Sequence, residues 1–256
     1  IDDIEEKITD IIRGEDHITN TAFHIQIFEA FNSQIPLFGH HPFLTDKDGK
    51  GFSKRLGSLS IEKMKNDGFE SITLLNYLLS IGTSFNLTKE LKKDLLIQNF
   101  DISKLSTSPP KFSNEVLSLL NKDILQEYSY EDVKHKFIEL GIENLNSDFW
   151  NFVKNNINYF NECLGWKKII ESNNANTFEN LNFLKDAAEL LPKEPFDSGT
   201  WDEWTLRIKE KTGKKGKDLF MPLRIALTGL SKGPELKYLL PLLSKDNILK
   251  KFGIIT

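Results

Sequence analysis

A short polar group near the start of the chain contains the first residues with chemical potential: Arg13, Glu15, Asp16 and His17. They follow residues 8–12, a β-rich run that predicts a strand. Charges at the end of a buried strand are costly unless they are paired or bound to a ligand. A guanidinium at this place can hold a carboxylate through two parallel hydrogen bonds, or it can pair with Glu15 or Asp16 in a purely structural contact. Both interpretations are open at this point.

A second candidate lies at residues 49–55, where glycines precede Ser53, Lys54 and Arg55. Glycine lets the backbone approach a ligand closely, and a movable lysine can neutralise phosphate oxygens. The order Gly-x-x-x-x-Gly-Lys-Ser/Thr is missing, so the stretch is not a P-loop. An exposed basic turn without a function would explain the same residues.

Histidine and cysteine give little support to a metal site. His40 and His41 are adjacent, so on a strand they point to opposite faces. The single cysteine, Cys163, excludes a multi-cysteine zinc site and an internal disulfide, and it fits a reducing compartment. We therefore expect no protein-bound metal. We expect His17 and His40 to make single polar contacts in a pocket and His24 to be a packing or surface residue.

The charge is distributed unevenly. The chain has a net charge of −4, but residues 200–256 carry twelve Lys or Arg and six Asp or Glu, so their balance is +6 and the remainder carries −10. The densest basic run, residues 207–217, predicts contact with a polyanion such as a phosphate backbone, although a solvated helix face is the alternative. Trp201 and Trp204 are three residues apart, which favours core positions over base stacking. The sequence contains no run of 18 apolar residues, so it predicts no membrane span.

The order strand, loop, helix, strand predicts an α/β unit at the start of the chain. The helix is expected from Thr19 or Asn20 to about Phe31, and the second strand at residues 38–44. The helix periodicity places four residues on one face: Phe23, Ile27, Ala30 and Phe31.

After about residue 58 the pattern is helical. Ser60 is expected to cap a helix that stops near Gly68, and the sequence from Ser129 resembles a capping box. Pro222 is expected at a helix start and Gly229 at a helix end. Ser71 is expected to open another helix, whose predicted buried face is Ile72, Leu75, Leu78 and Leu79.

Taken in order, five segments resemble the later part of bacterial glutamyl-tRNA synthetases, over essentially the whole chain. They are residues 8–21, 38–42, 49–57, 220–229 and 233–236. The resemblance implies an α/β start, the second half of a Rossmann-type catalytic domain at residues 1–58, and a mostly α remainder. That remainder would be a helical stem-contact region at 59–128 and a two-part α-helical anticodon-binding domain at 129–256, with its second part from about 176.

The resemblance also implies site residues. The second class I signature motif, of the Lys-Met-Ser-Lys-Ser type, corresponds to Gly51, Phe52, Ser53, Lys54 and Arg55; Gly51 replaces its first lysine and Arg55 its final serine. Lys54 would be catalytic and would support the ATP phosphates. The other expected roles are glutamate binding by Arg13, ATP binding by His17, His40 and Ser53 together with Lys54, and anticodon binding by Arg224.

The implied activity is ATP-dependent activation of glutamate and its transfer to the 3′ end of tRNA-Glu. The first signature motif, of the His-Ile-Gly-His type, is absent, so we expect this chain to be inactive by itself. ATP with Mg²⁺, glutamate and tRNA are the partners that the resemblance implies. It also implies a cytoplasmic monomer that does not bind a membrane. Two alternatives are a ligase that also charges tRNA-Gln and a tRNA-binding module that performs no ligation.

Overall fold

A computed structural model describes residues 1–51, 60–142, 146–175 and 181–255. The chain divides into two compact units, Ile1–Ile124 and Leu125–Thr256. Within the described residues, no helix has the length and apolar character that crossing a bilayer requires. The three-part division predicted from the sequence stays a prediction.

A parallel strand pair lies near the start of the first unit. Strand β1 (Asp10–Gly14) pairs with β2 (Leu37–His41), and helix α2 (Ile18–Ala30) makes the connection that parallel strands require. The register places Arg13 opposite His40. A short helix α1 (Asp2–Glu5) and a 3₁₀ turn at Glu15–His17 complete this part, and the predicted α/β start is confirmed.

The apolar side chains of α2 are largely exposed. Phe23 is 65% exposed and Phe31 is 56% exposed, whereas Phe28 is buried. Strands β1 and β2 and the short helix α1 offer too little surface to cover every apolar side of α2. The periodicity therefore identified the helix, but the predicted face of Phe23, Ile27, Ala30 and Phe31 is not buried against this unit.

The described residues of the first unit also contain helices α3 (Ile61–Asp67), α4 (Ser71–Ser80), α5 (Lys93–Asn99) and most of α6 (Asn114–Glu127). The side chain of Ser60 accepts a hydrogen bond from the backbone N–H of Lys63, and Gly68 ends α3 in the left-handed conformation. Both ends of α3 are as predicted, because the capping signals are local.

The buried face of α4 differs from the prediction. Leu75 and Leu78 are 39% and 44% exposed, while Thr73 and Asn76 are buried beside Ile72. Asn121 from α6 accepts hydrogen bonds from the Thr73 hydroxyl and from a backbone N–H. Because these buried polar groups are satisfied, the polar side of α4 can face the interior.

Asn76 has a similar role on the same face of α4. Its amide nitrogen donates to the carbonyls of Ile72 and Glu90, and its amide oxygen accepts from Thr88 and from the Glu90 N–H. These bonds hold the segment that follows α4 against the helix. The next helix begins after this segment, at Lys93.

The second unit is helical around an aromatic core. Its helices are α7 (Tyr130–Glu139), α8 (Ser147–Val153), α9 (Cys163–Glu171), α10 (Leu181–Glu189), α11 (Thr200–Thr212), α12 (Lys217–Thr228), α13 (Leu236–Leu239) and α14 (Lys245–Lys251). Trp150 and Trp204 are fully buried, and their indole N–H groups donate to the carbonyls of Tyr128 and Ala187. Buried tryptophan is stable when this donor is satisfied.

The predicted helix signals of this unit have mixed outcomes. Ser129 and Asp132 form the capping box of α7, and Gly229 ends α12 in the left-handed conformation. Pro222 lies inside α12 and not at its start. Leu219, in the turn before Pro222, is buried, and this burial favours a helical turn that the proline alone disfavours.

A buried lysine joins two helices of the second unit. Lys251 on α14 is 1% exposed, and its Nζ donates to the carbonyl of Ile169, near the end of α9, at 2.6 Å. A cation is favourable near a helix C-terminus. Burial nevertheless lowers the pKa of Lys251 to about 8. The folded protein therefore releases this proton at a lower pH than the unfolded chain does.

We predict that Lys251→Met removes a pH dependence of stability. Between pH 8 and 10.5, the unfolded chain keeps the Lys251 proton that the folded protein has released, so wild-type stability rises with pH. Relative to Lys251→Met, the free energy of unfolding should gain at most about 3 kcal/mol over this range. Urea unfolding at several pH values measures it. The exposed substitution Lys245→Met should follow the wild type, and parallel curves for wild type and Lys251→Met would contradict the assignment.

Candidate functional site

The polar group at the end of β1 is built around Arg13. Its Nη1 lies 2.9 Å from His24 Nδ1, and its Nη2 donates to Thr21 Oγ1 at 2.8 Å. Its Nε lies 3.4 Å from His40 Nε2, and Nη2 also reaches the His17 carbonyl at 3.3 Å. The parallel register supplies His40, while α2 supplies Thr21 and His24 one turn apart.

These partners hold the guanidinium without neutralising it. Among the described residues, Arg13 forms no ion pair with a carboxylate, and Asp16 lies 3.5 Å from the His17 ring instead. The Arg13 guanidinium is also 5.0 Å from the centre of the Phe38 ring. The structural pairing of Arg13 with Glu15 or Asp16 is therefore wrong, and the cation is available to an anionic ligand.

His24 is the residue that the sequence analysis missed. The expectation of a packing or surface role followed from its apolar neighbours on α2. The spacing of Thr21 and His24 was the available signal, since residues three apart share a helix face. What the sequence did not reveal is that this face lies over the end of β1.

The segment that leads into the predicted signature motif is anchored on both sides. Thr45 N–H donates to the Pro110 carbonyl at 2.9 Å, and Phe112 N–H donates to the Thr45 carbonyl at 2.8 Å. Thr45 also forms a bridge with Gly51. The motif residues Phe52, Ser53, Lys54 and Arg55 lie outside the described residues, so their predicted roles stay predictions.

An apolar cavity of about 790 Å³ lies beside this anchored segment. Gly51 lines it, together with Ile12 from β1 and Leu78 from α4. The other lining residues are His41, Pro42, Phe43, Leu44, Ile81, Gly82, Phe100, Ile102, Leu105 and Pro110. The cavity explains why Leu78 is not covered as predicted.

Arg224 is the centre of a second candidate site, in the second unit. Its Nη1 donates to the Pro234 carbonyl at 2.9 Å, and partial burial lowers its pKa below the ordinary value. It lines a cavity of about 320 Å³ with Trp201, Asp202, Phe220, Glu235, Leu236 and Lys237. Trp201 stacks on Phe220 with ring centres 6.2 Å apart. The cavity thus combines a cation with aromatic and acidic groups.

The basic run at residues 207–217 contains two kinds of cation. Arg207 pairs with Glu203, and Lys211 lies 2.9 Å from Asp186 and 2.7 Å from Glu189. The other four lysines have no acidic partner within the described ranges; one of them, Lys214, lies over the Phe183 ring, which leaves Lys209, Lys215 and Lys217. The unpaired lysines are the better candidates for phosphate contacts.

Comparison with known proteins decides between the possible families. Residues 1–119 match the catalytic domain of class I tRNA synthetases (E and Q), and residues 147–253 match an anticodon binding domain. The chain therefore carries part of a class I tRNA synthetase catalytic domain followed by an anticodon binding domain. The resemblance to glutamyl-tRNA synthetases is confirmed by relatives that carry that name.

Two such relatives are glutamate–tRNA ligases of Bartonella. "Glutamate--tRNA ligase 1" of Bartonella quintana is 40% identical over 258 residues, and "Glutamate--tRNA ligase 2" of Bartonella tribocorum is 42% identical over 257 residues. Each alignment covers 99% of this chain and 56% of the relative. The chain thus spans little more than half the length of these ligases.

Solved structures support the fold of this synthetase chain. Glutamate-tRNA synthetase of Elizabethkingia anophelis superposes with a TM-score of 0.78 at 22% identity, covering 98% of this chain and 57% of the other. The glutamate tRNA ligase of Elizabethkingia meningosepticum, solved in complex with its amino acid, gives 0.80 at 22% identity, covering 98% and 57%. The predicted fold, α/β and then mostly α, is confirmed.

Other sequence candidates have structural roles in this chain. Trp201 and Trp204 are buried, as expected for core residues, although Trp201 also lines the cavity at Arg224. Cys163 is buried, and burial raises the pKa of its thiol to about 12, so it stays protonated and unreactive at neutral pH. The part of the chain that the structure describes contains no cluster of three or more His, Cys, Asp or Glu suited to a metal ion.

We predict that Gly233→Ala disturbs the site at Arg224. A Cβ at Gly233 would lie 2.6 Å from Trp166 Cη2 and 3.5 Å from Arg224 Nη1, and the backbone φ of 147° is unfavourable for alanine. We expect a loss of about 1–3 kcal/mol in the free energy of unfolding, measured with urea.

Gly165→Ala is the matched control. Gly165 lies within α9, and a Cβ there has no neighbour within 4 Å. Because alanine is the better helix former, this variant should be as stable as the wild type or more stable by up to about 1 kcal/mol. Equal stability of the two alanine variants would show that Gly233 is not constrained.

Proposed function

We propose that this chain forms part of a glutamate–tRNA ligase, which activates glutamate with ATP and transfers it to the 3′ end of tRNA-Glu. The proposal rests mainly on the identity of about 40% with glutamate–tRNA ligases along nearly the whole chain. Cations held by neutral groups in both compact units add support. A ligase of this kind would work in the cytoplasm as a monomer.

In this proposal Arg13 binds glutamate. A guanidinium that lacks a carboxylate partner can form charge-assisted hydrogen bonds to a carboxylate of the amino acid. Correct placement of glutamate against ATP would lower the entropic cost of the reaction. The neutral partners of Arg13 favour this role, because they leave its charge for the substrate.

The ATP site would use the residues of the signature motif. Lys54 and Ser53 would contact the phosphates, and Lys54 would stabilise the negative charge that develops on the departing pyrophosphate. Mg²⁺ would enter with ATP as part of the substrate complex. His17 and His40 would lie near the nucleotide from the end of β1 and from β2.

The second unit would bind tRNA. Arg224 would contact the anticodon from its cavity, where the exposed Phe220, stacked on the buried Trp201, offers an aromatic surface. Unpaired bases are commonly recognised by stacking and by hydrogen bonds to their edges. Lys209, Lys215 and Lys217 would contact the phosphate backbone, which contributes affinity but no sequence choice. The same proposal includes three domains: the end of the catalytic domain at residues 1–58, the stem-contact region at 59–128 and the anticodon-binding domain at 129–256.

We predict that the chain itself binds tRNA-Glu and that three lysines govern the salt dependence. The variant Lys209→Ala/Lys215→Ala/Lys217→Ala should bind more weakly to every tRNA. Its log affinity against log salt should be less steep by about two, because each lost phosphate contact removes roughly 0.7–0.9 from the slope. Filter binding at several salt concentrations measures both effects.

Arg207→Ala serves as the control. Arg207 is already paired with Glu203. Its loss should therefore change the slope of log affinity against log salt by less than the loss of one phosphate contact would. Inclusion of tRNA-Gln and an unrelated tRNA tests the range of the ligase, since equal binding of all three would point to a general tRNA-binding module. No binding of tRNA-Glu would contradict the proposal.

We predict that Lys54→Ala impairs catalysis but not tRNA binding. Because the chain spans 56% of its relatives, the assay uses a polypeptide in which the amino-terminal part of the Bartonella tribocorum ligase precedes it. Glutamate-dependent pyrophosphate exchange should fall about 100-fold or more, as on loss of a charge-stabilising donor. The affinity for tRNA-Glu should stay within about twofold. Unchanged exchange would remove Lys54 from the catalytic role.

A further inference from the structure

The partners of Arg13 raise a question that its proposed role alone does not answer. An arginine at the end of a strand has several rotatable bonds and would sample many positions in water. Here Thr21 and His24 lie 2.8 Å and 2.9 Å from its two terminal nitrogens. All three side chains are half-buried. The guanidinium is thus fixed from one side by a single face of α2.

The contact determines the protonation state of His24. An arginine guanidinium has donors and no acceptor, so His24 Nδ1 must provide a lone pair. The His24 ring is therefore neutral, with its proton on Nε2. His40 differs from His24, because its Nε2 lies 3.4 Å from Arg13 Nε and 3.1 Å from Thr21 Oγ1, and only the first of these partners requires it to accept.

A neutral acceptor has a consequence for ligand binding. A carboxylate at the place of His24 would hold Arg13 equally well, but it would cancel the charge that an anionic ligand needs. A neutral imidazole fixes the guanidinium and leaves its charge. Thr21 Oγ1 adds a second neutral acceptor, and it lies within 3.1 Å of His40 Nε2 and 3.2 Å of the His17 carbonyl.

We propose that His24 is a positioning residue that, with Thr21, orients the Arg13 guanidinium for the carboxylate of glutamate. This inference rests on the proposed function. His24 acts through Arg13 and touches no substrate. The nearest alternative is that His24 only fills space between α2 and the strands. Asparagine and leucine distinguish the two roles, because the Asn Oδ1 can occupy nearly the same place as Nδ1 whereas leucine fills space without an acceptor.

The tautomer is tested on the chain as it is. Nitrogen-15 NMR of the imidazoles at pH 8 should show His24 protonated at Nε2 and unprotonated at Nδ1. In His24→Leu, the Arg13 side-chain N–H signals should lose their protection from water exchange, and in His24→Asn they should keep it. A His24 ring with its proton on Nδ1 would overturn the proposal, since that nitrogen could not accept from Arg13.

The effect on glutamate is tested in the extended ligase described above. His24→Leu should raise the KM for glutamate about tenfold, while the KM values for ATP and tRNA-Glu stay within about twofold. His24→Asn should restore the KM for glutamate to within about threefold of the wild type. Thr21→Val, which removes the second acceptor, should raise the same KM. Gln26→Leu, at an exposed position of α2, should leave all three unchanged.

The outcomes separate the inference from the function on which it rests. If the wild-type ligase does not charge tRNA-Glu with glutamate, the proposed function fails and the inference fails with it. If it charges and His24→Leu has an unchanged KM for glutamate, or loses kcat alone, the inference fails and the function stands. Equal KM values for the Leu and Asn variants, both raised, would show that an acceptor at this place does not restore glutamate binding, and this result would also overturn it.

Discussion

The first unit depends on a cation held in place by neutral groups. Arg13 stands at the end of a parallel strand, where the register brings His40 beside it and the connecting helix brings Thr21 and His24 over it. Each acceptor is an imidazole nitrogen, a hydroxyl or a backbone carbonyl. The guanidinium is thereby ordered and still carries its full charge. A site that must attract an anion needs both properties, and a carboxylate partner would provide only the first.

The cations of the second unit have two kinds of partner, neutral and acidic. Arg224 donates to the Pro234 carbonyl and has no carboxylate bonded to its guanidinium among the described contacts. Arg207 and Lys211 instead pair with acidic side chains on the surface. Exposed pairs of this kind contribute little to stability and reduce the charge that a polyanion would meet. Fewer cations of residues 207–217 are therefore available to bind a polyanion than the composition of this run suggests.

Capping signals in the sequence predicted helix ends correctly, whereas the predicted buried faces of α2 and α4 were wrong. The start of α3 at Ser60, its end at Gly68 and the capping box at Ser129 all form as expected, because a cap is decided within one helical turn. Leu75 and Leu78 are exposed because α4 buries polar groups that find partners in α6 and in the next segment. No pattern within α4 contains that information.

By itself, the sequence determined the fold class, the family and the positions that could carry charge. Arg13, Lys54 and Arg224 lie in continuous segments that are long enough to show the family resemblance. Such a segment can be read from the order of residues alone. The tertiary structure decided which partners meet Arg13 and Arg224. His24 is eleven residues from Arg13 along the chain, and the two meet because α2 folds back over the end of β1. A contact of this kind depends on how elements pack against each other. The spacing of residues along one element does not predict that packing.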